Sequence, residues 1–151
     1  MIERHNFAIL RSALMKLFYE GRLNLLLTLI YDRNIIVITL YGIKNCDTVK
    51  KARKWLDEHN INYQFHDVRA DGLTAEMLSH WLETAGWETI LNKRGTTWRK
   101  LEPEAQKQVC GATVSELLLE YPAMIKRPVL DIDGHITVGF KADNYTLIFD
   151  L

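Results

Sequence analysis

The chain has 151 residues, of which 48% are apolar and 25% charged; that is enough to bury the core of one domain without disulfide or metal staples, and it excludes wholesale disorder. Its 19 basic and 19 acidic residues cancel to zero net charge, so the broad positive field required for direct nucleic-acid binding is missing. No run reaches the ~20 apolar residues that cross a bilayer, and the two cysteines, Cys46 and Cys110, lack the pairing of a zinc site or a secreted disulfide framework, which points to a reducing cytoplasm.

The sequence changes character near Ile35. Upstream, the basic residues Arg4, Arg11, Lys16 and Arg22 precede the short apolar run Leu23–Tyr31, but no small-residue cleavage site follows it. Downstream, Ile35 to Tyr41 is β-branched and almost continuously apolar, as in a strand buried on both faces. Gly42 to Asn45 form a loop. From Cys46, apolar Val49, Ala52, Trp55 and Leu56 recur at helical spacing, with the stem of Arg53 beside them and Asn60 as a C-terminal residue. Ile61 to Val68 alternates as a second strand, parallel to the first because a helix joins them.

Thr74 caps an amphipathic helix that carries Leu78, Trp81, Leu82 and Ala85 and ends at Gly86. Further helical pieces are expected over Thr89–Leu91, Glu102–Gln108 and Val114–Tyr121, the last broken by Pro122. Val129–Ile132 and His135–Phe140 flank Asp133-Gly134, a hairpin signal, and Asp143–Leu151 reads as a closing helix. This order predicts an α/β fold, a mixed four-stranded sheet with flanking helices, in a thioredoxin-like arrangement.

Cys46 stands where the free N–H groups and dipole of the following helix stabilise a thiolate, the form that attacks disulfides, and Lys44 adds positive charge. Thr48 is expected to cap that helix. The competing reading of Cys46, a small buried packing residue, fits this junction less well. Arg127, before Pro128, can neutralise a thiolate or grip an anion; without further context it reads more readily as a solvated surface arginine. Asn92 to Lys100 is a basic loop suited to a carboxylate or to plain solvation. Cys110 reads as structural, Trp55, Trp81 and Trp87 as core, Asp131 and Asp133 as hairpin residues, and the histidines show no metal-ligand spacing.

Three ordered stretches, Ile38 to Ala52, Arg94 to Leu101 and Ile125 to Val129, resemble the arsenate reductase (ArsC) family and look closest to its Spx/YffB-like branch. The resemblance covers residues 36–151. It implies a thioredoxin-like fold with an inserted helical region, a nucleophilic Cys46, and an Arg127-Pro128 pair whose proline is cis and faces the cysteine. It also implies substrate contacts from Lys44, Asn45, Arg94, Pro128 and Lys141. Of the three arginines that assist the cysteine in arsenate reductases of this type, Arg127 matches one; the others fall at Asn92, with Arg94 close by, and near Phe140, with Lys141 beside it.

Those departures turn the implied activity from arsenate reduction to a glutathione-dependent thiol reductase, with glutathione as co-substrate and no bound cofactor or metal. The alternative is an Spx-like regulator that binds the RNA polymerase α subunit, although Val49 replaces the second cysteine of the Spx Cys-x-x-Cys switch. Residues 1–35 lie outside the resemblance. They read either as an added helix with Phe7, Leu10, Leu14, Leu17 and Phe18 on one face, or, the preferred reading, as a dispensable extension or the product of a start codon chosen too far upstream.

Overall fold

The apolar run that opens the patterned sequence becomes a strand only at Ile38. In the computed structural model, which describes residues 36–151, β1 spans Ile38–Gly42, while Ile36 and Val37 remain 64% and 49% exposed. The expectation of a strand from Ile35 is corrected to this extent: β-branched composition continues past the paired register, where Val37 keeps one bond, its carbonyl accepting from the Asp133 N–H at 3.0 Å. The readings made for residues 1–35 lie outside the described residues.

A helix, α1 (Asp47–Glu58), follows β1. Its buried side chains, Val49, Ala52, Trp55 and Leu56, fall on one helical face, and Arg53 lays its guanidinium over the Phe65 ring, 4.6 Å from the centroid. The chain leaves α1 through Asn60 at a φ of 56° and enters β2 (Gln64–Asp67), parallel to β1 with Leu40 opposite Phe65 and Gly42 opposite Asp67. The strand is shorter than the alternation predicted, because Ile61 to Tyr63 have no partner strand.

Thr74 caps α2 (Ala75–Ala85), its hydroxyl accepting from the Met77 N–H at 3.2 Å, and Gly86 ends it with φ 80°. Short helices α3 (Trp87–Ile90), α4 (Thr96–Arg99), α5 (Pro103–Lys107) and α6 (Val114–Glu120) come next. A 3-10 turn at Pro122–Met124 leads to β3 (Val129–Ile132), β4 (His135–Val138) and α7 (Ala142–Phe149). The hairpin turn forms as expected: Asp133 takes a φ of 51° and the Asp131 carboxylate accepts from the Gly134 N–H at 2.8 Å.

The sheet order is β2-β1-β3-β4, with β3 antiparallel to both β1 and β4, a thioredoxin-like sheet. Alternation along β1 distributes the core over both faces. Leu40 packs with Ala52, Trp55, Leu56, Leu130 and Tyr145, under α1 and α7. Tyr41 joins the opposite cluster of Trp81, Leu78, Ile90, Leu118 and Met124, under α2 and the inserted helices. Of the tryptophans read as core, Trp55 and Trp81 are buried and Trp87 is half-buried. No helix among the described residues is long and apolar enough to cross a membrane.

The basic loop departs most from expectation. Thr96–Arg99 is a helical turn, closed by the Arg99 N–H on the Gly95 carbonyl at 3.2 Å. Trp98 is driven inward, and Gln106 Nε2 donates to the carbonyls of Trp98 and Leu101. One turn is too short to carry a periodicity, and Gly-Thr-Thr has poor intrinsic helicity. Burial of an indole forms it.

One polar atom in the core is out of place. Tyr145 is fully buried among Trp55, Phe140 and Phe149, its hydroxyl has no hydrogen-bond partner among the described residues, and burial pushes its ionisation well above the usual phenol range. A buried hydroxyl without a partner is a net cost. Tyr145→Phe is therefore expected to stabilise the chain by about 1 kcal/mol, a rise in Tm of ~2–4 °C; thermal denaturation of the two proteins measures it.

Candidate active site

Cys46 is the N-cap residue of α1, in extended conformation (φ −94°, ψ 125°), and is half-buried. Its own carbonyl accepts from the Lys50 N–H at 2.9 Å, and its N–H donates to the Ile43 carbonyl at 3.0 Å, which folds Ile43 to Cys46 into a tight turn. No side chain caps α1. The expected Thr48 cap is thus corrected: Thr48 lies inside the helix, past the position from which a hydroxyl reaches back to the first-turn donors. The first-turn N–H groups and dipole therefore face the N-cap position that Cys46 occupies, its side chain making no hydrogen bond to them.

Gly42 sets how closely strand and helix meet. A Cβ built on it would lie 2.7 Å from Val49 Cγ2 and 3.0 Å from Cγ1, and Val49 has no exposure at all. The position three residues after Cys46 is accordingly part of the core.

Antiparallel pairing sets Tyr41 opposite Val129, and continuing that register brings Pro128 abreast of Gly42 and Arg127 abreast of Ile43. The Arg127-Pro128 peptide is cis. Pro128 is buried, and its carbonyl accepts from the Gly139 N–H at 2.7 Å, so the end of β4 is drawn to the same margin. Lys141, exposed, follows as the N-cap of α7. Cys46, exposed Lys44 and Asn45, Arg127, Pro128 and Lys141 thus gather at one end of the sheet.

Arg127 is only half-buried as a residue, yet its Nη1 is shut away from solvent without a hydrogen-bond partner among the described residues. Such a cationic donor is costly unless an anion meets it.

Arg94 is placed differently. The bridge between Leu91 and Ile125 is antiparallel, and the Asn92 N–H donates to the Met124 carbonyl at 2.7 Å. The backbone therefore leads Arg94 away from the direction taken by Arg127. Asn92 takes a local role, its Oδ1 accepting from the Arg94 N–H at 3.1 Å. The neighbouring cation, Lys93, sits 5.1 Å from the Trp87 ring centroid and 5.9 Å from that of Trp98.

Cys110, read from the sequence as structural, is exposed. Its thiol lies 3.7 Å from Thr113 Oγ1, and that contact, with the nearby N–H groups of Ala112 and Thr113, lowers its pKa. It fills no core position. Its placement follows from Gly111 and the turn at the start of α6, where its carbonyl accepts from the Val114 N–H at 2.9 Å.

The ArsC family model matches residues 41–148, a span from the end of β1 to within the last helix. This chain belongs to the ArsC family. Among solved structures it is similar to the YFFB protein, with 50% identity and a TM-score of 0.70 over 74% of this chain and 97% of the other. It is likewise similar to an arsenate reductase (ArsC) related protein from Brucella melitensis, at 50% identity and TM-score 0.65, covering 78% and 98% of the two chains. The global transcriptional regulator Spx 1 of Lactococcus lactis is 30% identical over 71% of this chain and 84% of its own length. The ArsC assignment bears out the resemblance on which the fold was expected.

The sequence reading passed over one residue at this ArsC site. Asp67, counted only as part of the alternation in β2, accepts from the Lys44 N–H at 2.9 Å and from the N–H groups of Arg69 and Ala70. Those donors hold its carboxyl below the usual carboxylate range. The signal was present in Asp67-Val-Arg-Ala-Asp71-Gly72, a pair of aspartates and a glycine where a strand must stop.

The contact between Gly42 and Val49 gives a direct test. Gly42→Ala forces a methyl group against a stiff, buried, β-branched side chain and is expected to cost about 1–3 kcal/mol. In a Val49→Ala background the same change should cost less. Denaturant unfolding of the four proteins measures the coupling, and additive costs would show that the crowding is absent.

Proposed function

We propose that this ArsC-family chain is a thiol-disulfide reductase acting on glutathione mixed disulfides, with Cys46 as its nucleophile. The observation that carries the reading is the position of Cys46, half-buried, as the N-cap residue of a twelve-residue helix at the sheet end that also carries Arg127.

In the proposed cycle the Cys46 thiolate attacks the glutathione sulfur of a mixed disulfide. A new S–S bond joins Cys46 to glutathione, and the substrate leaves as a thiolate that takes up a proton. The thiolate of a second glutathione then attacks that sulfur, releasing oxidised glutathione and restoring the Cys46 thiolate. The exchange balances: a mixed disulfide and one glutathione thiol give the substrate thiol and oxidised glutathione, with one disulfide and one thiol on each side. Arg127 supplies the anion partner, with its buried Nη1 donating to a glutathione carboxylate or to the leaving sulfur. Lys141 contributes a second cation from the start of α7, whereas Arg94, on a backbone that leads away from Arg127, takes no part in this reading. Lys44, Asn45 and Pro128 line the approach.

Buried Val49 supports resolution by an outside thiol, since a disulfide cannot close within the Cys46 turn. Free glutathione at the required level belongs to a reducing cytoplasm. The similarity to Spx 1 favours one other reading, a regulator that docks RNA polymerase through its α subunit. The local dithiol switch that such a protein would use is missing here.

Cys46→Ser is expected to abolish turnover of a glutathione mixed disulfide, and Arg127→Ala to lower kcat/KM about 10- to 100-fold through loss of a charge-assisted hydrogen bond. Coupled assay of oxidised glutathione release measures both. Wild-type turnover by Cys46→Ser would remove the reading, and capture of the polymerase α subunit by a preparation without thiol-transfer activity would replace it with the regulator.

A further inference from the structure

We propose that Asp67 is a positioning residue for Cys46, its carboxylate holding through the Lys44 amide the loop that sets Cys46 at the N-cap of α1. The inference rests on the reading of Cys46 as nucleophile.

The two oxygens of the carboxylate divide the work. Oδ1 accepts from the N–H groups of Arg69 at 2.9 Å and Ala70 at 3.3 Å, closing the turn after β2. Oδ2 reaches across to the Lys44 N–H at 2.9 Å, on the loop between β1 and α1. The carboxylate is itself fixed from behind, because the Asp67 N–H donates to Asp71 Oδ2 and the Asp71 N–H to the Asp67 carbonyl, both at 2.8 Å. A rigid turn thus presents one free oxygen to the cysteine loop.

That loop has few other restraints. The Gly42 carbonyl accepts from the Val68 N–H at 2.9 Å and the Ile43 carbonyl from the Cys46 N–H at 3.0 Å. Between them the Lys44 peptide is held by Asp67, and the exposed Asn45 beside it makes no hydrogen bond among the described residues. Freeing Lys44 would let the Ile43–Asn45 segment rotate and carry Cys46 away from the N-cap of α1, and the field of a helix end falls off within its first turn. Asp67 touches no reacting atom; it acts through the loop.

The groups around the carboxylate are the cation of Arg69, the carboxylate of Asp71 and the Lys44 backbone. Because the N–H donors lower the Asp67 pKa, the latch is intact above that lowered value and opens as pH falls through it.

The substitution Asp67→Asn leaves one oxygen to close the turn and puts an NH2, which cannot accept, toward Lys44. In a Cys110→Ser background, so that alkylation reports Cys46 alone, the rate of iodoacetamide alkylation is followed against pH. Asp67→Asn is expected to slow the reaction at neutral pH about five- to tenfold, to shift its midpoint upward, and to release the Lys44 amide to hydrogen exchange. A rate and midpoint equal to those of the Cys110→Ser parent would overturn the latch while leaving the nucleophile in place. A parent that alkylates no faster than a free cysteine would remove the nucleophile and the latch together. Should Asp67→Asn not fold, Asp71→Ala removes the oxygen that accepts from the Asp67 N–H and is expected to slow alkylation about twofold; no change there would also overturn the proposal.

Discussion

The candidate site depends on how closely β1 runs into α1. Gly42 is the hinge of that approach: without a Cβ it lets the strand end settle onto Val49, and any side chain would push strand and helix apart. Because Val49 is itself locked in the core, the first turn of α1 has little freedom to tilt. Cys46 inherits its place from that contact. The position of Cys46 is therefore set by apolar packing, which fixes where the helix end lies.

Around this junction the sheet collects the polar groups. Gly42 and Asp67 pair in parallel, so β1 and β2 end together, while antiparallel β3 starts at the same margin and β4 ends there. Four strand ends thus deliver the Cys46 turn, Asp67, the Arg127-Pro128 pair and the approach to Lys141 to one edge. No long-range recognition is needed to assemble these side chains; strand polarity does it. The inserted helices cover the other face of the sheet with their own core of Trp81, Trp98, Leu118 and Met124, and they bring the Asn92 loop to the bridge beside Ile125.

Most of this fold was legible because the relevant signals were local. The period of Val49, Ala52 and Leu56 marked α1, Thr74 and Gly86 bracketed α2, and Asp133-Gly134 marked the hairpin. What sequence reading missed was decided by tertiary partners. Ile36 and Val37 look like strand residues but lie beyond the paired register. Thr96–Arg99 becomes helical because Trp98 finds the core, and Asp67 reads as one more residue of an alternating strand until Lys44, distant in sequence, appears beside it. Cys46 and Arg127 were legible as types in position. The unpartnered Nη1 of Arg127 was not, since it arises from burial that no local pattern encodes.

The burial of Val49 shapes the chemistry as well as the packing. Helix α1 carries Cys46 at its N-cap and, three residues on, the buried Val49 set close to Gly42, so no second sulfur stands there. Under the proposed function, the resolving thiol must then diffuse in, and its capture becomes a matter of binding rather than proximity within the chain. An anionic thiol such as glutathione needs a cation at the site, and a cation with a desolvated donor binds more strongly than one in water. The half-buried guanidinium of Arg127, at the sheet margin shared with Cys46, has that character, so under the proposed function the absence of a second local thiol and the costly buried cation serve the same exchange.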